Sequence, residues 1–261
     1  FDPQNGRLQT YDLAGRRVLL NLAKNPTGFN QNLKIVAQDQ APKVVAFFIN
    51  DKEADGRDVS WLWDIDFEEL AQAGPLTAYA GGIRGRDMAV RLKYAGIDAQ
   101  TVESADDLLH RIAQQPREVS AYIIANYTSL PGCKAALDAA VAAGGEVEPA
   151  AGEAPAPRDF GTQGAPAGKD AASGQPPVVI AHLFPDLLNL YGDGGNVRVL
   201  QQRLAWRGIP AEVRRVNHGD AIDLSGVDLI MMGGSPDREQ KLASADIVDM
   251  RDQLDAYVQD M

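Results

Sequence analysis

The sequence predicts an α/β protein, with two units built on largely parallel sheets and joined by a linker. Apolar runs of four to eight residues alternate with helical patterns both before and after a break in composition, the signature of sheet-and-helix units. The break, Glu146 to Pro177, holds six Pro, five Gly and eight Ala, with Val147 and Phe160 as its large apolar residues. Such a stretch cannot bury enough surface to offset the entropy of ordering it, so it reads as a flexible linker. A length of 261 residues at 45% hydrophobic content supports one large or two smaller cores. The expected organisation is a first domain over 1–145, the linker over 146–177 and a second domain over 178–261.

Each element follows from local pattern. In the first domain, strands are expected at Arg17 to Leu22, Val44 to Ile49, Thr77 to Ala80, Ala99 to Val102 and Ala121 to Ala125. Helices are expected at Gly28 to Gln38, Phe67 to Ala73, Arg84 to Ala95, Ala105 to Gln114 and Gly132 to Ala143. The second domain offers a strand at Val178 to Leu183, a helix at Gly194 to Arg207, and strands at Ala211 to Arg215 and Asp228 to Met232. An amphipathic helix over Asp246 to Met261 ends without a cap, which gives the look of half an α/β domain and of a fragment.

Composition narrows the function. Twenty-five basic residues against 36 acidic give a net charge of −11, with no basic stripe to neutralise phosphates, so nucleic acid is not an expected partner. One cysteine, Cys133, makes neither an intrachain disulfide nor a multi-thiolate zinc site, and no metal site is expected. No signal peptide opens the chain and no apolar run approaches the length of a membrane span, so it reads as soluble and cytoplasmic.

Ligands of open α/β sheets bind beyond the carboxyl ends of the strands, and four loops there carry unusual residues. Ala23-Lys24-Asn25-Pro26-Thr27-Gly28 opens a helix, where Lys24 and free amides could hold an anion or simply make a turn. Asn50 to Asp64 packs five acids beside Trp61 and Trp63. Either the tryptophans shelter a functional carboxylate, Asp58 or Asp64, or they pin the loop and leave its acids solvated. His182 to Asn196 carries glycines at 192, 194 and 195, with Asp193 or Asn196 available as a helix cap. Gly233 and Gly234 leave backbone N–H groups open for an oxyanion or a close ligand, or serve a tight turn. His110 reads as structural, His218 as a surface turn and Cys133 as a buried small side chain.

Together these loops carry a resemblance. The segment from about Gly6 to Gly144, with LNLAKNPTGFNQ, FFINDKEADGRDVSWLWD and IIANYTSL, resembles the carboxyl-terminal domain of the Mur-ligase-like MurT family. The segment from Val178 onward, with HLFPDLLNLYGDGGN, WRGI and MMGGSPDREQ, resembles the amino-terminal part of GatD, a family like the class I glutamine amidotransferases. MurT and GatD are the two subunits of lipid II isoglutaminyl synthase.

The resemblance implies an ATP- and glutamine-dependent carbon–nitrogen ligase that amidates the α-carboxyl of D-glutamate in the lipid II stem peptide. Its implied substrates are glutamine and lipid II, with peripheral contact to the membrane surface through the latter, and its implied cofactors are ATP and Mg2+. The partners implied are the MurT-like and GatD-like segments that are not in this chain, among them a phosphate-binding loop and the glutaminase cysteine and histidine. By the same resemblance Asp58, with Asp64 second, is the acid that MurT donates to the GatD catalytic pair. Gly233 and Gly234 match the oxyanion loop, and Lys24 and Asn25 face the nucleotide. The alternatives are a non-catalytic two-module scaffold and an amidotransferase of the cobyric-acid-synthase type.

Overall fold

A computed structural model describes residues 8–150, 176–190 and 192–259. The chain divides between Gly164 and Ala165 into two compact units, each described by itself below.

The first unit opens on β1 (Gln9–Leu13), which turns back antiparallel onto β2 (Arg16–Leu22). Then come α1 (Pro26–Gln38), β3 (Lys43–Phe48), a 3₁₀ turn at Ser60–Asp64, α2 (Phe67–Leu70) and β4 (Leu76–Gly81). The unit continues with α3 (Gly85–Tyr94), β5 (Ala99–Thr101), α4 (Ala105–Ala113), β6 (Ser120–Ala125) and α5 (Leu130–Ala142). The sheet order is β1-β2-β6-β3-β4-β5, parallel throughout except for β1. β1 was not expected: QTYDL alternates weakly and is only partly buried, as suits an edge strand.

β3 shows why the sheet lies inside. All six of its residues are buried, and side chains alternate between faces. Val45, Phe47 and Ile49 join Phe29, Leu33, Leu62, Phe67 and Leu92 on one face. Val44, Ala46 and Phe48 join Leu108, Ile112, Cys133 and Leu137 on the other. Expected and observed elements otherwise agree to within a few residues at their ends.

The expected linker needs correction at its start. Residues 146–150 dock on the first unit: Val147 packs on the α4/α5 core, and the Ala150 amide donates to the His110 carbonyl at 2.8 Å. The His110 ring meets the Glu148 carbonyl oxygen at 2.6 Å. The physical reason is a helix end with carbonyls to satisfy and an apolar gap that Val147 fills. Residues 151–175, most of the expected linker, lie outside the described residues.

In the second unit β7 (Val178–Leu183) lies between β8 (Ala211–Val216) and β9 (Leu229–Met232), all parallel, with α6 (Gly194–Ala205) between the first two strands in sequence. Instead of one terminal helix there are two, α7 (Asp237–Asp249) and α8 (Arg251–Gln259), broken at Met250, whose side chain is buried with Ala243 and Leu188.

Candidate functional site

The parallel strands of the first unit end on a polar seam. Asn50 follows β3 and Asn126 follows β6, and the two exchange bonds reciprocally. The Asn50 amide donates to Asn126 Oδ1 at 3.0 Å, and Asn126 Nδ2 donates to the Asn50 carbonyl at 2.7 Å. The single Ser129 hydroxyl proton lies within donating reach of both Asn126 Oδ1, at 2.8 Å, and the Phe48 carbonyl, at 2.7 Å. Asn50 Oδ1 accepts from the Ile83 amide at 2.9 Å, which ties in the loop after β4. There Gly82 is obligatory: its φ is +83°, and a Cβ would lie 2.5 Å from the Ile49 carbonyl oxygen. Sheet, seam and loop are therefore one buried hydrogen-bonded assembly.

The acid-rich loop hangs from this seam. Asp55 accepts from the Thr128 amide at 3.0 Å and from the Thr128 hydroxyl, which itself accepts from Asn50 Nδ2. Asp51 pairs with Arg84 Nε at 2.9 Å. Asp58 is exposed, and its carboxylate is engaged locally by the Ser60 amide at 2.8 Å and the Ser60 hydroxyl at 2.9 Å. Asp64 ends the 3₁₀ turn and is half-buried.

The tryptophans do not shelter Asp58. Trp61 packs on Phe29 with ring centroids 5.5 Å apart, and Trp63 packs on Tyr94 at 5.5 Å. They pin the loop to the helix layer and leave the Asp58 carboxylate exposed, so of the two readings open from sequence the sheltered one does not hold at that position. The pin is locked by Arg91, 1% exposed. It donates to the carbonyls of Leu62 and Ile65 at 3.1 and 2.6 Å and to Glu68 at 2.9 Å, with its guanidinium over Trp63 and Phe67.

At the first loop Asn25 is spent on structure: its Oδ1 caps α1 by accepting from the Gly28 amide at 2.8 Å. Lys24 beside it is exposed. Among the described residues no group of three or more His, Cys, Asp or Glu could hold a metal ion, and no helix is long and apolar enough to cross a membrane.

In the second unit the glycine loops meet each other. Gly194 is capped by Asn189, whose Oδ1 accepts its amide at 2.7 Å, rather than by Asp193 or Asn196 as expected. Asp193 instead accepts from the Gly234 amide at 3.1 Å, and the Gly234 carbonyl accepts from the Leu190 amide at 3.0 Å. The expectation of an open Gly234 N–H is corrected, since a carboxylate already occupies it. Gly233 is fixed by packing, because an added Cβ would collide with the Leu188 carbonyl oxygen and lie 2.6 Å from the Asp193 Cβ.

The titratable residues outside these loops behave as structural groups. Cys133 is 2% exposed, and burial pushes its thiol from 9.0 up to about 12, so it is no thiolate nucleophile. His182 on β7 is buried, and burial, with Arg215 adding to it, lowers its pKa. His218 sits in an exposed turn against Asp246 at 2.8 Å. The residues that sequence reasoning missed are Asn50, Asn126, Thr128 and Asp55. A signal was present in the paired endings Phe48-Ile49-Asn50 and Ile124-Ala125-Asn126, two strands that close on the same residue type.

Known proteins match the chain in sequence. Residues 22–130 match the family model described as MurT ligase C-terminal. The chain is 33% identical over 132 residues to the MurT subunit of lipid II isoglutaminyl synthase from Staphylococcus aureus (strain COL), covering 50% of this chain and 30% of that protein. It is 33% identical over 128 residues to the MurT subunit from Streptococcus pneumoniae (strain ATCC BAA-255 / R6), covering 48% and 28%. It is also 35% identical over 83 residues to the GatD subunit from Staphylococcus aureus (strain N315), covering 32% and 34%. The chain thus spans about a third of the length of each of these relatives. What the comparisons show is a MurT ligase C-terminal domain match over residues 22–130 and, at partial coverage, similarity to the MurT and GatD subunits.

Proposed function

We propose that this chain is part of a lipid II isoglutaminyl synthase carried with its MurT-like and GatD-like parts on one polypeptide. In this reading it takes part in glutamine-dependent amidation of the D-glutamate α-carboxyl in the stem peptide of lipid II. The observation that carries the reading is the double similarity: relatives named as the two subunits of one synthase are both matched by a single chain. A tether between two such modules raises the effective concentration of one at the other.

The chemistry divides accordingly. A thiolate attacks the glutamine carboxamide and forms a carbon–sulfur bond. The carbon–nitrogen bond then breaks, ammonia leaves with a proton from the imidazolium, and water cleaves the thioester. This reading gives Asp58, with Asp64 second, the role of orienting that imidazole. An acid that serves a centre on another module must be exposed on its own, and Asp58 is. The buried Cys133 leaves the nucleophile to the remaining amidotransferase segment. Gly234 can serve the oxyanion only after Asp193 releases its amide.

ATP and Mg2+ are the proposed source of carboxylate activation. Lys24 and Asn25 do not make a phosphate cradle by themselves, because Asn25 and the Gly28 amide are already paired.

The test is to supply the full-length protein, with all its segments, with glutamine, ATP, Mg2+ and lipid II, and to look for amidated lipid II by mass spectrometry. Absence of both amidated product and glutamine hydrolysis overturns the synthase reading. Undiminished hydrolysis in both Asp58→Asn and Asp64→Asn overturns the assignment of the acid.

A further inference from the structure

Among the described residues, Asp58 makes no hydrogen bond that fixes its loop to the sheet. Its oxygens bond Ser60, two residues on, so they set the local turn and leave the turn's position to other residues. After Asp58, that position is set by Trp61 on Phe29 and by Arg91 on the Leu62 and Ile65 carbonyls. Before it, the nearest tie to another element is Asp55 on Thr128, only three residues away. Gly56, at φ +83°, turns the chain directly after that tie.

Thr128 is itself fixed. It lies in the loop between β6 and α5, its hydroxyl accepts from Asn50 Nδ2 at 3.1 Å, and Asn50 is locked to Asn126 and to Ile83. A line of hydrogen bonds therefore runs from the sheet through Asn50 and Thr128 to Asp55, and three residues of backbone carry it on to Asp58. A carboxylate that orients a catalytic imidazole must be held within about half an ångström, by groups that are themselves held.

We propose that Asp55, through its grip on the amide and hydroxyl of Thr128, is a positioning residue that holds the Asp58 carboxylate in place for the glutaminase step. The inference rests on the reading of Asp58 as the donated acid. The two carboxylates differ in what they hold: Asp55 is committed to Thr128, whereas Asp58 is exposed and bonded within its own turn. The threonine hydroxyl is the atom on which the assignment turns.

The experiment measures steady-state glutamine hydrolysis by the full-length synthase carrying Thr128→Val, Thr128→Ser, Asp55→Ala or Asp58→Asn. Thr128→Val keeps the shape and loses the hydroxyl. It should lower kcat about 10- to 100-fold, as loss of a supporting hydrogen bond does elsewhere, with KM for glutamine unchanged within about twofold. Thr128→Ser should restore kcat to within about threefold, Asp55→Ala should repeat the Thr128→Val loss, and Asp58→Asn should fall further, by about 10³- to 10⁴-fold. A thermal melt of each variant identifies any that fails to fold, in which case Thr128→Ser against Asp55→Ala carries the comparison.

Wild-type kcat in both Thr128→Val and Asp55→Ala, with Asp58→Asn inactive, overturns the positioning role and leaves the acid assignment standing. The same holds if Thr128→Ser is as impaired as Thr128→Val. Full hydrolysis by Asp58→Asn with loss in Asp55→Ala overturns both, and makes Asp55 the acid.

Discussion

Replacing Arg91 with methionine tests how the acid-rich loop is held. Methionine fills much of the same space, so the loss is chiefly of donors. Two buried backbone carbonyls, on Leu62 and Ile65, lose their guanidinium partner. The Leu62 carbonyl still accepts from the Ile65 amide at 3.5 Å, so what is lost is a pair of hydrogen bonds to a charged group, at about 1.5–3 kcal/mol each. The contact with Glu68, which is 42% exposed, adds at most about 1 kcal/mol. Two such bonds and one weak ion pair come to about 3–7 kcal/mol. For a unit of this size that is about 6–28 °C in melting temperature, at about 2–4 °C per kcal/mol.

The assay is built in, because Trp61 and Trp63 lie on the loop that Arg91 secures. Urea unfolding of the chain in a Trp206→Phe background followed by tryptophan fluorescence reads that loop, and circular dichroism reads the secondary structure. Arg91→Met should lower the midpoint by both probes. Arg91→Lys should recover less than half of the difference, since an ammonium cannot span two carbonyls and a stacked ring as a planar guanidinium does. A loss below about 1 kcal/mol in Arg91→Met, or full recovery in Arg91→Lys, refutes the dependence of the two carbonyls on Arg91.

Three more outcomes follow from the structure. Cys133 and Tyr122 are held neutral, the thiol by burial and the phenol by burial together with its bond to Asp39, each pushed up to about 12. A raised value means the neutral form is favoured in the fold, so this stability is complete below about pH 9 and is lost as pH rises toward about 12. The urea midpoint should fall over that window, and Cys133 should resist thiol reagents at about pH 8 until the chain unfolds. Gly233→Ala should destabilise the second unit by about 1–3 kcal/mol, because the new methyl meets the Leu188 carbonyl oxygen, which is backbone, together with the base of the Asp193 side chain; an unchanged melt counts against the packing. Asn126→Leu removes both arms of the exchange with Asn50 and should cost about 2–4 kcal/mol, detected as faster hydrogen exchange at the Asn50 amide; unchanged protection refutes the seam.

Much was legible before the fold was known. Val44 to Ile49 is an unbroken short apolar run between helical patterns, which reads as a strand of an α/β sheet, and in the structure it is buried on both faces as such a strand must be. The docked residues 146–150 were not legible, because one valine in a Pro/Ala-rich stretch acquires meaning only beside the end of α4. β1 was likewise hidden, since an edge strand is only half covered and its pattern is weak.

For the candidate site the division is sharper. The sequence by itself determined which loops carry acids, glycines and tryptophans, because those residue types set charge, backbone freedom and apolar area wherever they sit. Only the tertiary structure decided what each one does. Thr128 stands 73 residues from Asp55, Asn126 stands 76 from Asn50, and Gly234 stands 41 from Asp193. Hydrogen bonds reach about 3 Å in space and take no account of distance along the chain. Which carboxylate is spent on the fold and which is left exposed is therefore settled by strand order and loop packing.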